Sequence, residues 1–275
     1  DHRDLHSFPT RRSSDLTTFL FDKIVFGPVK SRRLGVSLGI NLLPVNRKVC
    51  NFNCIYCECG LTQGKGMEGE KLPPRQQVYE ALESTLSEMK KNGQAPDVIT
   101  YAGNGEPTLH PEFPGIIDDS IILRDRYFPQ AKIAVLSNST LITRPAVREA
   151  LLKVDSNILK LDSAFHQTIL SHNQPNVKID TEKLINDLAS FNGRLIIQTL
   201  FVRGIFHDRT IDNTTPSELE AWLAALRRIR PSEVMIYTIS RDTPENGKLI
   251  KVPLEELNHI AAMVSELGIK TQVSG

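Results

Sequence analysis

The chain has 275 residues, enough to bury a sizeable core, and this length fits one large α/β barrel as well as two smaller domains. Its 33 basic and 32 acidic residues leave a formal net charge of +1, which gives no indication of a broad nucleic-acid-binding surface. No apolar run approaches the roughly 20 residues of a transmembrane helix, and the N-terminus lacks the pattern of a signal peptide. We therefore expect a cytoplasmic protein without a membrane partner.

The beginning of the chain differs in style from the remainder. Residues 1–16 mix Arg, Ser, Asp and Pro without helical or strand periodicity. We interpret them as a non-native or disordered leader without function. The expected folded domain covers residues 21–275.

Short apolar runs alternate with amphipathic stretches from about residue 36, which is typical of repeated strand–helix units. Most runs are rich in Ile, Val and Leu, as in strands that are buried on both faces of a parallel sheet. The predicted strands, in chain order, are Val36–Leu43, Asp97–Tyr101, Lys132–Leu136, Asn157–Leu161, Arg194–Phe201, Glu233–Tyr237 and Ile269–Val273.

Five stretches with apolar residues at helical spacing predict helices between these strands. Pro111 and Pro114 confine the second helix to the later part of its stretch, because proline interrupts a helix beyond its first turn. The stretches, in chain order, are Pro73–Gly93, His110–Phe128, Thr181–Gly193, Pro216–Leu226 and Pro253–Gly268.

Six strand-then-helix units and a trailing strand, without a Gly/Ser-rich linker, predict a single α/β domain. A partial, open (β/α)6 barrel of the TIM type accommodates this count. In such barrels the functional loops lie at the C-terminal ends of the strands. A doubly wound parallel sheet is the alternative architecture.

The four cysteines are crowded between Cys50 and Cys59, which indicates metal binding or redox chemistry in a chain without an export signal. Cys50, Cys54 and Cys57 have the spacing C-x3-C-x2-C directly after the first predicted strand. A compact loop of this kind can direct three thiolates at three irons of a [4Fe–4S] cluster and leave the fourth iron without a protein ligand.

A zinc site is the alternative for this loop, since Cys59 supplies a fourth thiol. Structural zinc sites usually pair two C-x2-4-C units that are separated by a longer loop. Because the four thiols lie within ten residues here, tetrahedral ligation by all of them is awkward. We therefore predict Cys50, Cys54 and Cys57 as metal ligands and Cys59 as a non-ligand.

The C-x3-C-x2-C spacing, with Tyr56 before the last cysteine, resembles the signature of the radical S-adenosylmethionine (SAM) superfamily. The resemblance implies that the three thiolates hold a [4Fe–4S] cluster and that SAM chelates the open iron. It implies that one-electron reduction cleaves SAM to methionine and a 5′-deoxyadenosyl radical, which abstracts hydrogen from a substrate. It further implies that Tyr56 lies near adenine and that a reductant protein such as flavodoxin or ferredoxin supplies the electron.

A Gly-rich turn follows the second predicted strand and resembles the G-G-E-P motif of this superfamily, which binds the SAM ammonium group. Its residues are Gly103, Asn104, Gly105, Glu106 and Pro107. Asn104 stands where the first glycine is usual. This departure from the motif is mild, because Asn adopts a left-handed backbone more readily than other non-Gly residues.

Polar residues end the later strands, where a parallel barrel places its site. The resemblance suggests that Asn138, Lys160, Asp162 and Gln198 contact the carboxylate, ribose or adenine of SAM. The alternative for each is a solvated strand end or a loop cap.

Residues 26–44 resemble a subgroup of Fe–S oxidoreductases that is related to the wyosine-synthesising tRNA enzymes and to the molybdenum-cofactor enzyme. Within this segment, Ser31, Arg32 and Arg33 could bind a phosphate or a substrate carboxylate, since Arg offers bidentate donors. A solvated basic turn is the alternative. Arg241 is a second basic candidate at the same barrel face.

The absence of cysteine after Cys59 disfavours an auxiliary cluster, and with it a direct molybdenum-cofactor assignment. The prediction is a radical SAM enzyme with an unidentified substrate, for which modification of a tRNA base or of another small molecule stays open. A zinc-stabilised binding module and a non-catalytic Fe–S sensor are the alternative functions.

Overall fold

The computed structural model describes residues 19–31, 33–62, 71–240, 243 and 249–275. The predicted leader, together with Arg32 and Arg241, lies outside these described residues. Within them the strands are β1 Val25–Ser31, β2 Gly35–Ile40, β3 Val98–Tyr101, β4 Lys132–Ser137, β5 Ser156–Lys160, β6 Ile196–Phe206, β7 Arg209–Asp212, β8 Glu233–Thr238, β9 Leu249–Lys251 and β10 Lys270–Ser274. The helices are α1 Arg75–Lys91, α2 Phe113–Tyr127, α3 Pro145–Lys153, α4 His166–His172, α5 Thr181–Ala189, α6 Pro216–Ile229 and α7 Leu254–Ser265.

The strands form one curled, open sheet with the path β1-β2-β3-β4-β5-β6-β8-β10. All neighbours from β2 to β10 on this path are parallel, whereas β1 is antiparallel to β2. Each parallel strand is added at the same edge, and a doubly wound sheet would instead reverse its strand order. The predicted partial barrel is therefore confirmed.

Alternation along the strands separates two cores. On β8, Val234 and Ile236 pack in the large cluster that also contains the apolar faces of the helices. Met235, between them, faces the concave side, where it packs with residues from β3, β4, β5 and β6. This inner cluster consists of Val98, Ala134, Ile158 and Met235, flanked by Leu34, Leu136 and Ile196. This cluster fills the inside of the barrel away from the C-terminal ends of the strands, and it leaves those ends for polar groups.

The sequence did not predict β1, α3, α4, β7 or β9. Gly27 and Pro28 interrupt the apolar pattern of β1, and the strand accommodates them with an irregularity between Phe26 and Val29. β6 extends beyond its predicted end to Phe206, because its distal half pairs antiparallel with both β7 and β9.

In the described part of the chain, every helix is too short or too polar to cross a lipid bilayer.

Trp222 of α6 joins the helical layer to the sheet. Its indole is almost fully buried, stacks edge-on against Phe201 at 5.2 Å, and donates to Thr199 Oγ1 at 3.1 Å. The Thr199 hydroxyl in turn donates to the Leu161 carbonyl at 2.7 Å. One hydroxyl therefore satisfies two buried polar groups on neighbouring elements.

We expect Thr199→Val to lower the free energy of unfolding by about 1–3 kcal/mol, because it leaves the buried indole N–H without an acceptor. Urea unfolding, followed by the fluorescence of the single tryptophan, measures this change. Thr85→Val is the matched control, since Thr85 lies half-buried on α1 and donates only to the Ala81 carbonyl of its own helix. A similar loss in both variants would contradict the role of the Thr199 hydroxyl.

Candidate functional site

The cysteine loop, residues 48–60, follows β2 and crosses the C-terminal ends of the parallel strands. Val49 forms a parallel bridge with Gly105: its N–H donates to the Asn104 carbonyl at 2.8 Å, and its carbonyl accepts from the Glu106 N–H at 3.1 Å. On the opposite side, the Ile55 N–H donates to the His172 carbonyl at 2.9 Å. The loop is thus held by backbone hydrogen bonds on both sides.

Two glycines of the Gly-rich turn allow this close contact. A Cβ atom on Gly105 would lie 1.8 Å from the Val49 carbonyl oxygen, and φ at this glycine is +139°. A Cβ atom on Gly103, where φ is +143°, would lie 2.6 Å from Asn41 Oδ1. Both positions therefore require glycine for steric and conformational reasons.

Asn104 is not among the residues with a positive φ, so the turn does not use the tolerance of Asn for a left-handed backbone. Its fully buried side chain instead fastens the chain before β1. The amide nitrogen donates to the Phe21 carbonyl at 2.9 Å and to the Pro44 carbonyl at 2.8 Å, while Oδ1 accepts from the Phe21 N–H at 2.8 Å. A glycine at this position could not make these three bonds.

The thiols of Cys50, Cys54 and Cys57 are free, and all three interact electrostatically with the buried ammonium of Lys48, which also hydrogen-bonds Cys57. The Lys48 Nζ donates to the Gly60 carbonyl at 2.9 Å. Burial alone would lower the pKa of Lys48, but the charges of the three cysteines outweigh it and raise the pKa. Burial raises the pKa of the Cys50 thiol to about 12 and also raises the pKa of Cys54.

Cys59 lies beside the Gly-rich turn, where its thiol donates to the Gly103 carbonyl at 3.3 Å. Its single S–H can instead donate to Cys57, and this contact, aided by the charge of Lys48, lowers the pKa of Cys57. The same contact raises the pKa of Cys59. The contact therefore favours the thiolate of Cys57 over that of Cys59.

Tyr56, Lys160 and Asp162 meet beneath the cysteine loop, as their assignment to one site requires. The Tyr56 hydroxyl donates to Asp162 Oδ2, and Lys160 Nζ lies 3.1 Å from the Tyr56 hydroxyl and 3.4 Å from the same carboxylate. Burial alone would lower the pKa of Lys160, but the charge of Asp162 outweighs it and raises the pKa. Asn173 Nδ2 completes the cluster by donating to Asp162 Oδ2 at 2.6 Å and to Cys54 Sγ at 3.5 Å.

Glu106 is buried and directs its carboxylate into the protein. It accepts hydrogen bonds from the Ser137 hydroxyl at 2.9 Å and from the Asn138 N–H at 2.6 Å. Thr108, at the first turn after Pro107, also donates to it through its N–H at 3.1 Å. Burial raises the pKa of Glu106 against the effect of these bonds. The carboxylate thus fastens the Gly-rich turn to the end of β4.

Asn138 and Gln198 reach the site in different ways. Asn138 Nδ2 lies 3.5 Å from Cys50 Sγ and therefore contacts the cysteine loop directly. Gln198 Nε2 donates to the Tyr237 hydroxyl at 2.6 Å, and Tyr237 lines a cavity of about 240 Å³ together with Tyr56 and Cys57. Gln198 is connected to the site through Tyr237.

Sequence reasoning missed Lys48 and Asn173 as site residues. The sequence could have indicated Lys48, because this lysine lies two residues before the first cysteine and therefore in the same loop. Asn173 follows α4, a helix that the sequence did not predict, so nothing indicated its position next to Cys54.

The donor set fits an iron–sulfur cluster. Cysteine thiolates are the ligands of such clusters, and this loop supplies three free thiols that interact with the charge of a buried lysine. A cation at this position offsets the negative charge that three thiolates carry. Among the described residues, no three His, Cys, Asp or Glu side chains are arranged around a single metal ion.

Comparisons with known proteins identify relatives in both sequence and fold. The chain is 30% identical over 255 residues to the UPF0026 protein of Methanocaldococcus jannaschii, covering 91% of this chain and 74% of that protein. It is 34% identical over 239 residues to the UPF0026 protein of Helicobacter pylori strain J99, covering 85% of this chain and 71% of the relative. No protein-family model matches the chain.

The structure resembles a radical SAM methyltransferase from Sphaerobacter thermophilus, with a TM-score of 0.63 and 14% sequence identity. The similarity covers 86% of this chain and 66% of the methyltransferase. At this identity the likeness establishes the fold, and it agrees with the resemblance that the cysteine spacing indicated. The chain therefore belongs to the UPF0026 family and has the fold of the radical SAM enzymes.

Proposed function

We propose that this protein is a radical SAM enzyme that holds a [4Fe–4S] cluster on Cys50, Cys54 and Cys57. The observation that carries the proposal is the cysteine loop itself: three free thiols of one loop interact with the charge of Lys48, and the bridge between Val49 and Gly105 holds this loop against the Gly-rich turn. When bound, the cluster would supply the electron that cleaves SAM to methionine and a 5′-deoxyadenosyl radical, which abstracts hydrogen from the substrate.

The residues around the loop have separate roles in this proposal. Lys48 balances the charge of the thiolates, and Gly103 and Gly105 bring the backbone of the Gly-rich turn close enough to receive the SAM ammonium group. Glu106 is a positioning residue, since its carboxylate is used inside the protein. Asn104 is also a positioning residue, because its side chain hydrogen-bonds the Phe21 backbone.

Lys160 and Tyr56 are the candidates for direct contact with SAM. The Lys160 side chain retains 15% exposure and carries a positive charge, which suits a carboxylate or another hydrogen-bond acceptor. The Asp162 side chain is 0% exposed, so it acts by orienting Tyr56 and Lys160. Asn138 and Gln198 complete the polar surroundings from β4 and β6.

An external protein such as flavodoxin or ferredoxin would deliver the electron, and the reaction would modify a tRNA base or another small molecule.

The first prediction from the proposed function concerns the reaction itself. After anaerobic reconstitution with iron and sulfide, we expect the wild-type protein to form 5′-deoxyadenosine from SAM and dithionite, and Cys54→Ala to form none. Chromatography of the products and analysis of iron and acid-labile sulfide give the two readouts. Zinc in place of iron would instead support a zinc-stabilised binding module, while a complete cluster without SAM cleavage would support a sensor.

The second prediction separates ligand cysteines from their neighbour. Iron content should fall sharply in Cys50→Ala, Cys54→Ala and Cys57→Ala, because each loses one thiolate ligand. Cys59→Ala should retain wild-type iron, since the Cys59 thiol is directed to the Gly103 carbonyl and acts as a hydrogen-bond donor. Loss of iron in Cys59→Ala would overturn the ligand assignment.

The third prediction tests the contact between the cysteine loop and the Gly-rich turn. Gly105→Ala should lower the iron content after reconstitution and destabilise the protein, because its Cβ would lie 1.8 Å from a backbone oxygen of the cysteine loop. Gly93→Ala is the matched control: φ is also positive at this glycine, but nothing lies within 4 Å of an added Cβ. We expect Gly93→Ala to bind iron like the wild type, and equal iron loss in both variants would argue against the bridge.

A further inference from the structure

The open barrel has a seam between β2 and β10, its first and last parallel strands, which do not pair with each other. Arg33 lies at this seam, two residues before β2. Its backbone carbonyl accepts a hydrogen bond from Gln272 Nε2 of β10 at 2.8 Å. The next residue, Leu34, packs with the inner cluster, so the chain at this point lines the inside of the barrel.

The Arg33 guanidinium lies 4.5 Å from the ring centroid of Tyr237 on β8. The hydroxyl of that ring accepts the hydrogen bond from Gln198, which fixes the ring from the opposite side. Stacking of this kind restrains the plane of the guanidinium and leaves its N–H edge available for a ligand. The side chain is therefore oriented before any ligand arrives.

Within the part of the chain that the structure describes, two polar atoms at the seam are buried without a hydrogen-bond partner. They are Nη1 of Arg33 and Oε1 of Gln272. Arginine stays protonated in proteins, and a buried donor of a charged group that lacks an acceptor is costly. An anionic oxygen placed against Nη1 removes this cost, and the Gln272 oxygen can accept from a hydroxyl or amino group beside it.

Arg33 also borders the cavity of about 240 Å³ that reaches Cys57. The other residues that line it include Tyr56, Leu200, Tyr237 and Thr238. Among the described residues that line this cavity, Arg33 is the basic one, so an anionic group is best placed near it. A molecule anchored there extends from the seam toward the cysteine loop.

We propose that Arg33 binds a carboxylate or phosphate group of the substrate, and that the substrate is a small anionic molecule. The assignment to substrate rests on the proposed function, whereas the anion site itself does not. Most of the predicted SAM contacts lie at the ends of β3, β4 and β5, whereas Arg33 lies against β8 and β10. Gln198 of β6 hydrogen-bonds the same Tyr237 on which Arg33 stacks. Of Ser31 and Arg33, the described residues of the basic segment that the sequence singled out, Arg33 is the one that borders this cavity.

The test compares the thermal unfolding of the reconstituted protein in sodium phosphate, in sodium succinate and in sodium chloride of equal ionic strength. We expect phosphate or succinate to raise the wild-type melting temperature by about 2–4 °C above the chloride value, since a ligand of the native state stabilises it. The two anions distinguish a phosphate site from a carboxylate site. Arg33→Met should lose this rise, and Arg33→Lys should keep only part of it, because lysine lacks the planar fork.

Arg148→Met is the matched control. Arg148 also stacks on an aromatic ring, at 4.1 Å from the centroid of Phe191, but its guanidinium donates to Ser190 on the outer surface. This variant should respond to the anions like the wild type. The proposal is overturned if neither anion stabilises the wild type, or if Arg33→Met responds equally.

Binding of SAM to the iron-loaded variants gives the last readout. Arg33→Met should bind SAM with wild-type affinity, and a loss of affinity at full iron content would assign Arg33 to the SAM site, contrary to the proposal. The anion measurement needs no turnover. Failure of deoxyadenosine formation and failure of anion binding are therefore separate results.

Discussion

The site depends on the approach of two backbones where Val49 meets Gly105. Their bridge places the cysteine loop against the Gly-rich turn at a distance that excludes any Cβ, since one on Gly105 would lie 1.8 Å from the Val49 oxygen. Glu106 then ties the turn to β4, and Asn138 ties β4 to Cys50. Because these contacts are continuous, the thiols and the candidate SAM contacts are positioned by one packed unit, which favours the pre-organisation that catalysis requires.

Charge is distributed around this unit in a consistent way. Two lysines, Lys48 and Lys160, are buried beside the cysteines, and both keep raised pKa values because acidic partners outweigh the cost of burial. Such cations stabilise thiolates, which are the form in which cysteine binds metals. Asp162 in turn holds Lys160 and Tyr56 in place, so the positive charge has a fixed position next to Cys54.

The sequence predicted the strands of the barrel because they are buried on both faces and read as continuous apolar runs. It also predicted where Cys50, Cys54 and Cys57 lie, since loops after parallel strands gather at one face. It could not predict Asn173, whose approach to Cys54 depends on the long connection between β5 and β6. It also could not show why Asn104 stands in the Gly-rich turn, because a conformational preference cannot reveal that a side chain binds a distant segment of backbone.

The open seam explains why an anion site arises where it does. A closed barrel would pair β2 with β10 through backbone hydrogen bonds along their whole length, whereas here one side-chain bond from Gln272 to Arg33 spans the gap. Side chains at the seam are therefore free to turn inward, and their polar atoms are not consumed by the sheet. Since most of the predicted SAM contacts lie at the ends of β3, β4 and β5, a substrate anchored at the seam would approach them from the side of β8 and β10, through the cavity that Arg33 shares with Tyr56 and Cys57. In this view, the substrate has its own polar anchor because the barrel is incomplete.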